Sequence, residues 1–567
     1  MPSSVSAQSA SRPLASEQAA FILPEITELA LEWMREGENG GVVVEEHTPE
    51  ELQDLLNVSF PDGGKDEASL SKHVALQNGK VLNGNADEGT ERVLSAAKKI
   101  LRYSVNHWTD GRFAAKLYSS IDAAGLATEL LLGALNANAH VFSAAPALSV
   151  IEVATVRKIN DLIGFGPDSG GLSMPGGSAS NRLSLTTAIN NLLPSVQQEG
   201  ITSLSQPPVI FTSDHSHYSV EQAAISAGIG RRNVWKVATD HVGRMDVQDL
   251  QRRLHECVAA GKKPLYVNAT SGTTVTGCFD DIRAISAVIQ QYKQQYDTNC
   301  WLHVDGSWGG SVVFSSKYRS LLDGIELADS MTVNPHKGLR VPLQCSFLLV
   351  RDRKLLSANV VDGDYLFHEG QQYDIGSTTT FCGRRSDALK LYMAWQMHGS
   401  SGLARMIDDA LDSGQVIRNK IREHPNLQLI LPTDESIPAY SVCFRFRPSS
   451  PTPHDAAAPA SQRASNTPSP RLMVRPIHAE VMRRGRVMLD FAPLKVRVSA
   501  AMPNSNGTNG SSHSSSDGAA SRAQVDDADE NGFIGEVFRL PLHPFGLSAG
   551  LIVLDEVVSA GSDLFGA

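Results

Sequence analysis

Between residues 145 and 400 the chain alternates short apolar runs with amphipathic stretches, and no other feature limits its possible folds so sharply. Pro208–Phe211, Val234–Val237, Leu265–Val267, Trp301–Val304, Met331–Val333 and Phe347–Val350 read as strands, several of them apolar throughout. A strand that is apolar on both faces must be covered on both faces, which calls for helices above and below the sheet. Between two of these runs, Ile282, Ile285, Val288, Ile289 and Tyr292 recur at helical spacing after Asp280-Asp281, which can cap the start. The pattern predicts an α/β fold with a mainly parallel sheet. Ligands of such sheets sit beyond the carboxyl ends of the strands, where Thr273-Thr274, Asp305 and Lys337 fall.

The stretch Ser330-Met331-Thr332-Val333-Asn334-Pro335-His336-Lys337 shows how one strand would end. Asn-Pro stops regular structure and presents His336 and Lys337 at the tip. A lysine delivered into a cavity loses solvation, so its amine becomes less basic and more nucleophilic, as a Schiff-base lysine requires. The tetrapeptide alone is equally compatible with a solvated surface lysine.

Its neighbours add more. SDHSHYSVEQAA (213–224), PLYVNATSGTTVTGCFDDI (264–282), WLHVDGSWGG (301–310) and NPHKGLRVPLQCS (334–346) stand in one order. Together they resemble the motifs of the group II pyridoxal-phosphate (PLP) amino-acid decarboxylases, nearest the glutamate, cysteine-sulfinate and aspartate branch. The likeness runs from about Arg112 to Pro503. It implies a fold-type I PLP enzyme: a mainly parallel seven-stranded sheet in a large domain, then a smaller α+β C-terminal domain. It further implies a homodimer whose active sites are shared between subunits.

By resemblance, Lys337 forms the Schiff base, Asp305 pairs with the pyridine nitrogen, and His217 stacks on the ring. A negative partner keeps that nitrogen positive, so the ring can absorb the electron pair left by departing CO2. Ser178, Ala179 and Ser180 of Pro175-Gly176-Gly177-Ser178-Ala179-Ser180-Asn181 match the phosphate-binding segment, just before an apolar-patterned helix (Leu183 to Leu193) whose N-terminus attracts a dianion. Asn334 would help hold the phosphate, and Thr274 would lie near the cofactor. Ser307 stands where the family usually has alanine, a small-for-small change that leaves room for the ring. Tyr365, in a segment resembling a mobile catalytic loop, would return the proton, with His336 as the alternative donor. Arg497 resembles the arginine that grips the substrate's acidic group. Ala115 and Lys116 replace the Asn-Gln usual in the acidic branch. Lys116, with Tyr118 two residues on, would then add a second positive charge for an acidic substrate or mark a different one.

Around this core, residues 1–20 read as a disordered tail and 21–144 as an N-terminal helical segment, helical from Phe21 to about Glu51, with a surface excursion at 61–90. The large domain spans 145–400 and the small one 401–567, with strands at Tyr440–Phe446 and Leu494–Ser499. Low-complexity insertions at 448–471 and 503–531 interrupt it. The net charge of −11 argues against nucleic-acid or anionic-membrane partners. No apolar run reaches the roughly 18 residues of a membrane span. Six cysteines show no zinc or CxxC spacing, so no metal and a reducing cytoplasmic setting are expected, although a Ser/Ala-rich start leaves room for an organellar presequence. The expected activity is decarboxylation of an acidic L-amino acid. The alternatives are an aromatic or other amino acid, an aminotransferase or lyase on the same fold, or a PLP-binding scaffold without turnover.

Overall fold

The computed structural model describes residues 15–58, 60, 76–77, 80–81, 88–360, 373–431, 438–448, 470–495, 533–544 and 547–565. Chain packing divides into one unit of Met1–Phe113 with Ala479–Met488 and a second of Ala114–His478 with Leu489–Ala567. The breaks thus fall after residues 113, 478 and 488, whereas the sequence reading draws its domain bounds at 144 and 400.

In the first unit, α1 (Ala15–Glu38), α2 (Pro49–Leu56) and α3 (Glu88–Arg102) are helices. Two expectations are corrected here. Residues 15–20 belong to α1, because Ala-Ser-Glu-Gln-Ala-Ala is a helix-forming run that continues the helix upstream of Pro24. The helical pattern expected to reach Glu51 breaks after Glu38, where Gly40 takes φ +89°, and resumes behind a capping box in which Thr48 and Glu51 bond each other's backbone. The Arg112 guanidinium ties the unit by donating to the Gly37 and Gly41 carbonyls, each at 2.9 Å.

The second unit is built on a seven-stranded sheet. In chain order come α4 (Ala123–Leu135), α5 (Pro146–Ile163), β1 (Gly170–Met174), α6 (Gly177–Leu192), β2 (Pro208–Ser213), α7 (Ser219–Ser226), β3 (Val234–Val237), α8 (Val247–Ala259), β4 (Lys263–Thr270), α9 (Ile282–Tyr296), β5 (Trp301–Gly306), β6 (Ser330–Val333) and β7 (Ser346–Val350). The sheet order is β1-β7-β6-β5-β4-β2-β3, parallel except for β7, which is antiparallel to both its neighbours. Alternation assigns the two faces: Val209, Phe211 and Val304 enter one apolar core, while Ile210 and Trp301 enter the other with Leu185 and Ile189 of α6. Of the two aspartates before α9, Asp281 caps Ala284 N, whereas Asp280 is buried and accepts from Met245 N and Thr270 N at 2.7 Å.

α10 (Ala388–Glu423), which kinks at Gly399, leads into a second, antiparallel sheet. Its strands are β8 (Leu427–Leu431), β9 (Ser441–Phe446), β10 (Met488–Lys495) and β11 (Phe533–Pro541), in the order β8-β9-β11-β10 with the two-residue Phe113–Ala114 at the end. The helix α11 (Pro470–Arg484) precedes β10, and α12 (Leu547–Phe565) follows β11. The strand expected from Leu494 begins earlier, at Met488, and is described only to Lys495. Apart from their margins and the short pair Leu76–Gln77 and Lys80–Val81, the excursion 61–90 and both insertions lie outside the described residues.

Candidate active site

The parallel register sets Thr270 of β4, Asp305 of β5 and Thr332 of β6 side by side at the carboxyl edge of the sheet. A cavity of about 230 Å³ opens just beyond them. Lys337 reaches it from the helical turn Pro335–Gly338, which Asn-Pro starts as β6 ends. His217, on the turn after β2, and Ser178, in the first turn of α6, line it too, as do Thr274, Ser307, Asn334 and His336. Eight of the residues expected at the site, from five separate segments, therefore meet in one place.

The others do not. Ser180 is buried with its hydroxyl 2.8 Å from Ser346 Oγ, and Ala179 packs against the apolar cluster of Leu172, Leu183 and Leu348. Their amides both donate to the Gly176 carbonyl at 3.1 Å, so of the expected phosphate triplet only Ser178 faces the cavity. Helical twist is the reason: successive residues of a helix point about 100° apart, so three in a row cannot share one face. Lys116 and Tyr118 are not among the lining residues. The Lys116 ammonium pairs with Asp490 at 3.0 Å on a half-exposed surface. Tyr365 and Arg497 lie outside the described residues.

The charges at the site are set by burial and by one another. Burial alone would push the Asp305 carboxyl up, but the Ser307 N–H at 3.0 Å and the nearby His217, His303 and Lys337 hold it below the ordinary carboxylate range. Burial lowers Lys337; Asp305 opposes this, and the Arg539 cation adds to it. His217 is also lowered by burial, and Ser219 N donates to its Nδ1 at 3.2 Å, so the neutral ring carries its proton on Nε2. His336, buried against the backbone of Cys345, is pushed down to about 4.

Several contributors escaped the sequence reading. Asn181 lines the cavity and donates to Asp305 Oδ2 at 2.8 Å. Arg539, inside β11, is buried and donates to the carbonyl of cavity-lining Thr274 at 3.2 Å, to Ala115 O and to Asp490 at 3.3 Å. Its Nε has no hydrogen-bond partner among the described residues. A lone charge inside the apolar run Val-Phe-Arg-Leu-Pro-Leu was the available signal for it.

These residues fit PLP. A lysine of lowered basicity and an ionised buried carboxylate face one cavity. Asn334 Oδ1 is buried there without a hydrogen-bond partner among the described residues. At Gly177 a Cβ would collide with Ser307 Oγ and come within 2.8 Å of Asn334 Nδ2, so glycine alone leaves that wall open. Among the described residues no group of three or more His, Cys, Asp or Glu is placed to hold a metal, and no helix is long and apolar enough to cross a membrane.

Comparison with known proteins agrees with this geometry. Residues 77–447 match the pyridoxal-dependent decarboxylase conserved domain. The chain is 39% identical over 457 residues to the L-aspartate decarboxylase dtxS4 of Metarhizium robertsii, covering 80% of this chain and 82% of that one. It is 33% identical over 463 residues to the cysteine sulfinic acid decarboxylase of Mus musculus, covering 80% and 85%. The crystal structure of mouse CSAD superposes with a TM-score of 0.77 at 28% identity, covering 97% of this chain and 99% of that one. The chain belongs to the pyridoxal-dependent decarboxylase family and is a PLP-dependent amino-acid decarboxylase.

Proposed function

We propose that the substrate is an acidic L-amino acid, and that Arg539 supplies the cation that receives one of its carboxylates. The observation that carries this reading is a buried guanidinium bonded to the Thr274 carbonyl, with Nε unpartnered among the described residues and one carboxylate there, Asp490, shared with Lys116. With Lys337 and Arg539 against Asp305, the site suits an anion, and the similar proteins named for aspartate and cysteine sulfinate point the same way. Arg539 thereby takes the part expected of Arg497.

PLP, when bound, supplies an electron sink for the bond that releases CO2. Lys337 Nζ would hold it, and burial keeps more of this amine neutral and nucleophilic. Asp305 would keep the cofactor's ring nitrogen protonated, and His217 would orient the ring. Ser178 and Asn334 would hold the phosphate. Tyr365 would supply the proton returned to carbon, with His336 as the alternative donor. The enzyme works as a homodimer whose sites are completed by the second copy. Support for this comes from α4, where Leu126, Leu130, Leu131 and Leu135 stand exposed.

The test is CO2 release and product analysis with purified protein, PLP and a panel of acidic, aromatic and basic amino acids. Aspartate, glutamate or cysteine sulfinate should lead. Arg539→Met should lower kcat/KM for the acidic substrate by roughly 10- to 150-fold, the worth of a hydrogen bond to a charged group. Faster turnover of aromatic or basic substrates refutes the acidic reading, and keto-acid formation would favour an aminotransferase.

A further inference from the structure

Under Asp305 the sheet and α6 bury a chain of polar side chains that reaches away from the cavity. Asn181 satisfies all four positions of its amide. Nδ2 lies 2.8 Å from Asp305 Oδ2 and 3.0 Å from Ser219 Oγ; Oδ1 lies 2.9 Å from Thr332 Oγ1 and 3.1 Å from His303 Nε2. His303 Nδ1 in turn lies 2.8 Å from Ser330 Oγ and 3.0 Å from Ser184 Oγ. At the far end Trp301 Nε1 donates to Ser330 Oγ at 2.8 Å. Asn181, His303, Thr332, Ser184 and Ser330 are all almost wholly buried.

The direction of these bonds follows from the two ends. An ionised carboxylate only accepts, so Asn181 must turn its NH2 toward Asp305 and its oxygen toward His303 and Thr332. Both of those must then donate. A neutral His303 therefore carries its proton on Nε2, and its Nδ1 accepts from a serine hydroxyl. The indole of Trp301, a donor only, closes the other end. A Ser330 or Ser184 hydroxyl to His303, His303 to Asn181 and Asn181 to Asp305 thus all donate in one direction, and in a low-dielectric interior such bonds polarise one another.

We propose that Asn181 and His303 are positioning residues: this one-way chain holds the Asp305 carboxylate ionised and aimed into the cavity. The proposal rests on Asp305 being the partner of the cofactor's ring nitrogen. His217, Lys337 and Asn181 meet the same carboxylate at the cavity wall, whereas His303 acts from beneath it through Asn181. Burial holds His303 down to about 4, consistent with a neutral ring carrying one directed proton.

The experiment compares Thr332→Val, His303→Leu, His303→Gln, Asn181→Asp and Asp305→Asn. Three quantities are read: PLP affinity of the apoenzyme, the pH midpoint of the bound cofactor's visible band, and melting of the apoenzyme. His303→Leu and Asn181→Asp should weaken PLP binding by roughly tenfold or more and move the spectral midpoint. His303→Gln, whose amide can still donate to Asn181, should recover most of both. Thr332→Val, a near-isosteric loss of one donor, should show a smaller change in the same direction with melting little altered. Asp305→Asn combined with His303→Leu should be no worse in spectrum and affinity than Asp305→Asn alone, because His303 acts through Asp305. If Asp305→Asn matches the wild type in spectrum and affinity, the assignment of Asp305 falls and the chain's role with it. If Asp305→Asn departs while the Asn181, His303 and Thr332 variants match the wild type, the positioning proposal alone is overturned. Additive losses in the double variant overturn it as well.

Discussion

Replacing Arg384 by methionine tests how the segment that carries cavity-lining Ser178 is held. Glu152 of α5 is fully buried, and its carboxylate accepts from Ser173 N at 2.8 Å and from the Arg384 guanidinium. Arg384 also donates to Ala139 O at 2.7 Å and Ser173 O at 3.2 Å. Ser173 lies in β1, whose end runs directly into Pro175–Ser178. Arg384→Met fits the space but leaves a buried carboxylate with one N–H and orphans two carbonyls, a loss of about 3–5 kcal/mol. Unfolding entropy of about 2.1 cal/mol/K per residue converts this to a melting decrease of about 2.5–4 °C for a chain of this size. Differential scanning calorimetry of the apoprotein reads it directly. Adding Glu152→Gln removes the stranded charge while keeping an acceptor for Ser173, so the double variant should regain at least half of the loss. An Arg384→Met protein melting within 1 °C of wild type, or a double variant less stable than the single, would refute the reasoning.

The remaining predictions concern pH, the proton donor and an insertion. His303, His336 and His543 are buried and held down to about 4 from 6.5, so between those values the unfolded chain binds more protons. Their contribution is complete above about pH 6.5 and is lost as pH falls toward 4, on the order of 3 kcal/mol for each imidazole. His543→Gln can keep the bond that Nε2 donates to Lys116 O at 2.9 Å, so it should melt less steeply with pH across this window; an unchanged slope contradicts the assignment. Tyr365→Phe should still release CO2 but return the proton slowly, giving progressive inactivation during turnover. Stable wild-type kinetics would move the donor role to His336. Replacing 505–530 by a short Gly/Ser linker should leave PLP binding and turnover near wild type, because closure of a flexible loop changes by only about 0.6 kcal/mol per halving. A raised KM with PLP binding intact would make that segment a substrate lid.

The fold class was legible because its determinants are local. Six of the seven strands announced themselves as apolar runs, and Asn-Pro marked where Lys337 leaves the sheet. The strand that escaped, β1, has the sequence Gly-Gly-Leu-Ser-Met, with neither alternation nor β-branched residues. It is a strand because β7 pairs with it, Ser346 opposite Met174 through Val350 opposite Gly170. Tertiary pairing there outweighs weak local propensity.

The site divides in the same way. Lys337, Asp305 and His217 could be named from motifs, since each occupies a strand end or the turn after one. Which neighbours they meet was decided by register and by helix rotation. Ser178 faces the cavity while Ser180 turns to Ser346, and Lys116 is taken by Asp490. Arg539 approaches Thr274 from 265 residues away in the chain. Asn181 and His303 read as unremarkable polar residues of a helix and a strand, and only packing shows each as the other's partner. Strand and helix periodicity is written in neighbouring residues, whereas a polar contact across more than 100 residues exists only once parallel register has brought its two halves together. The sequence alone thus determined the sheet and pointed to Lys337 and Asp305; the tertiary structure decided which buried groups contact that carboxylate and where the Arg539 cation lies.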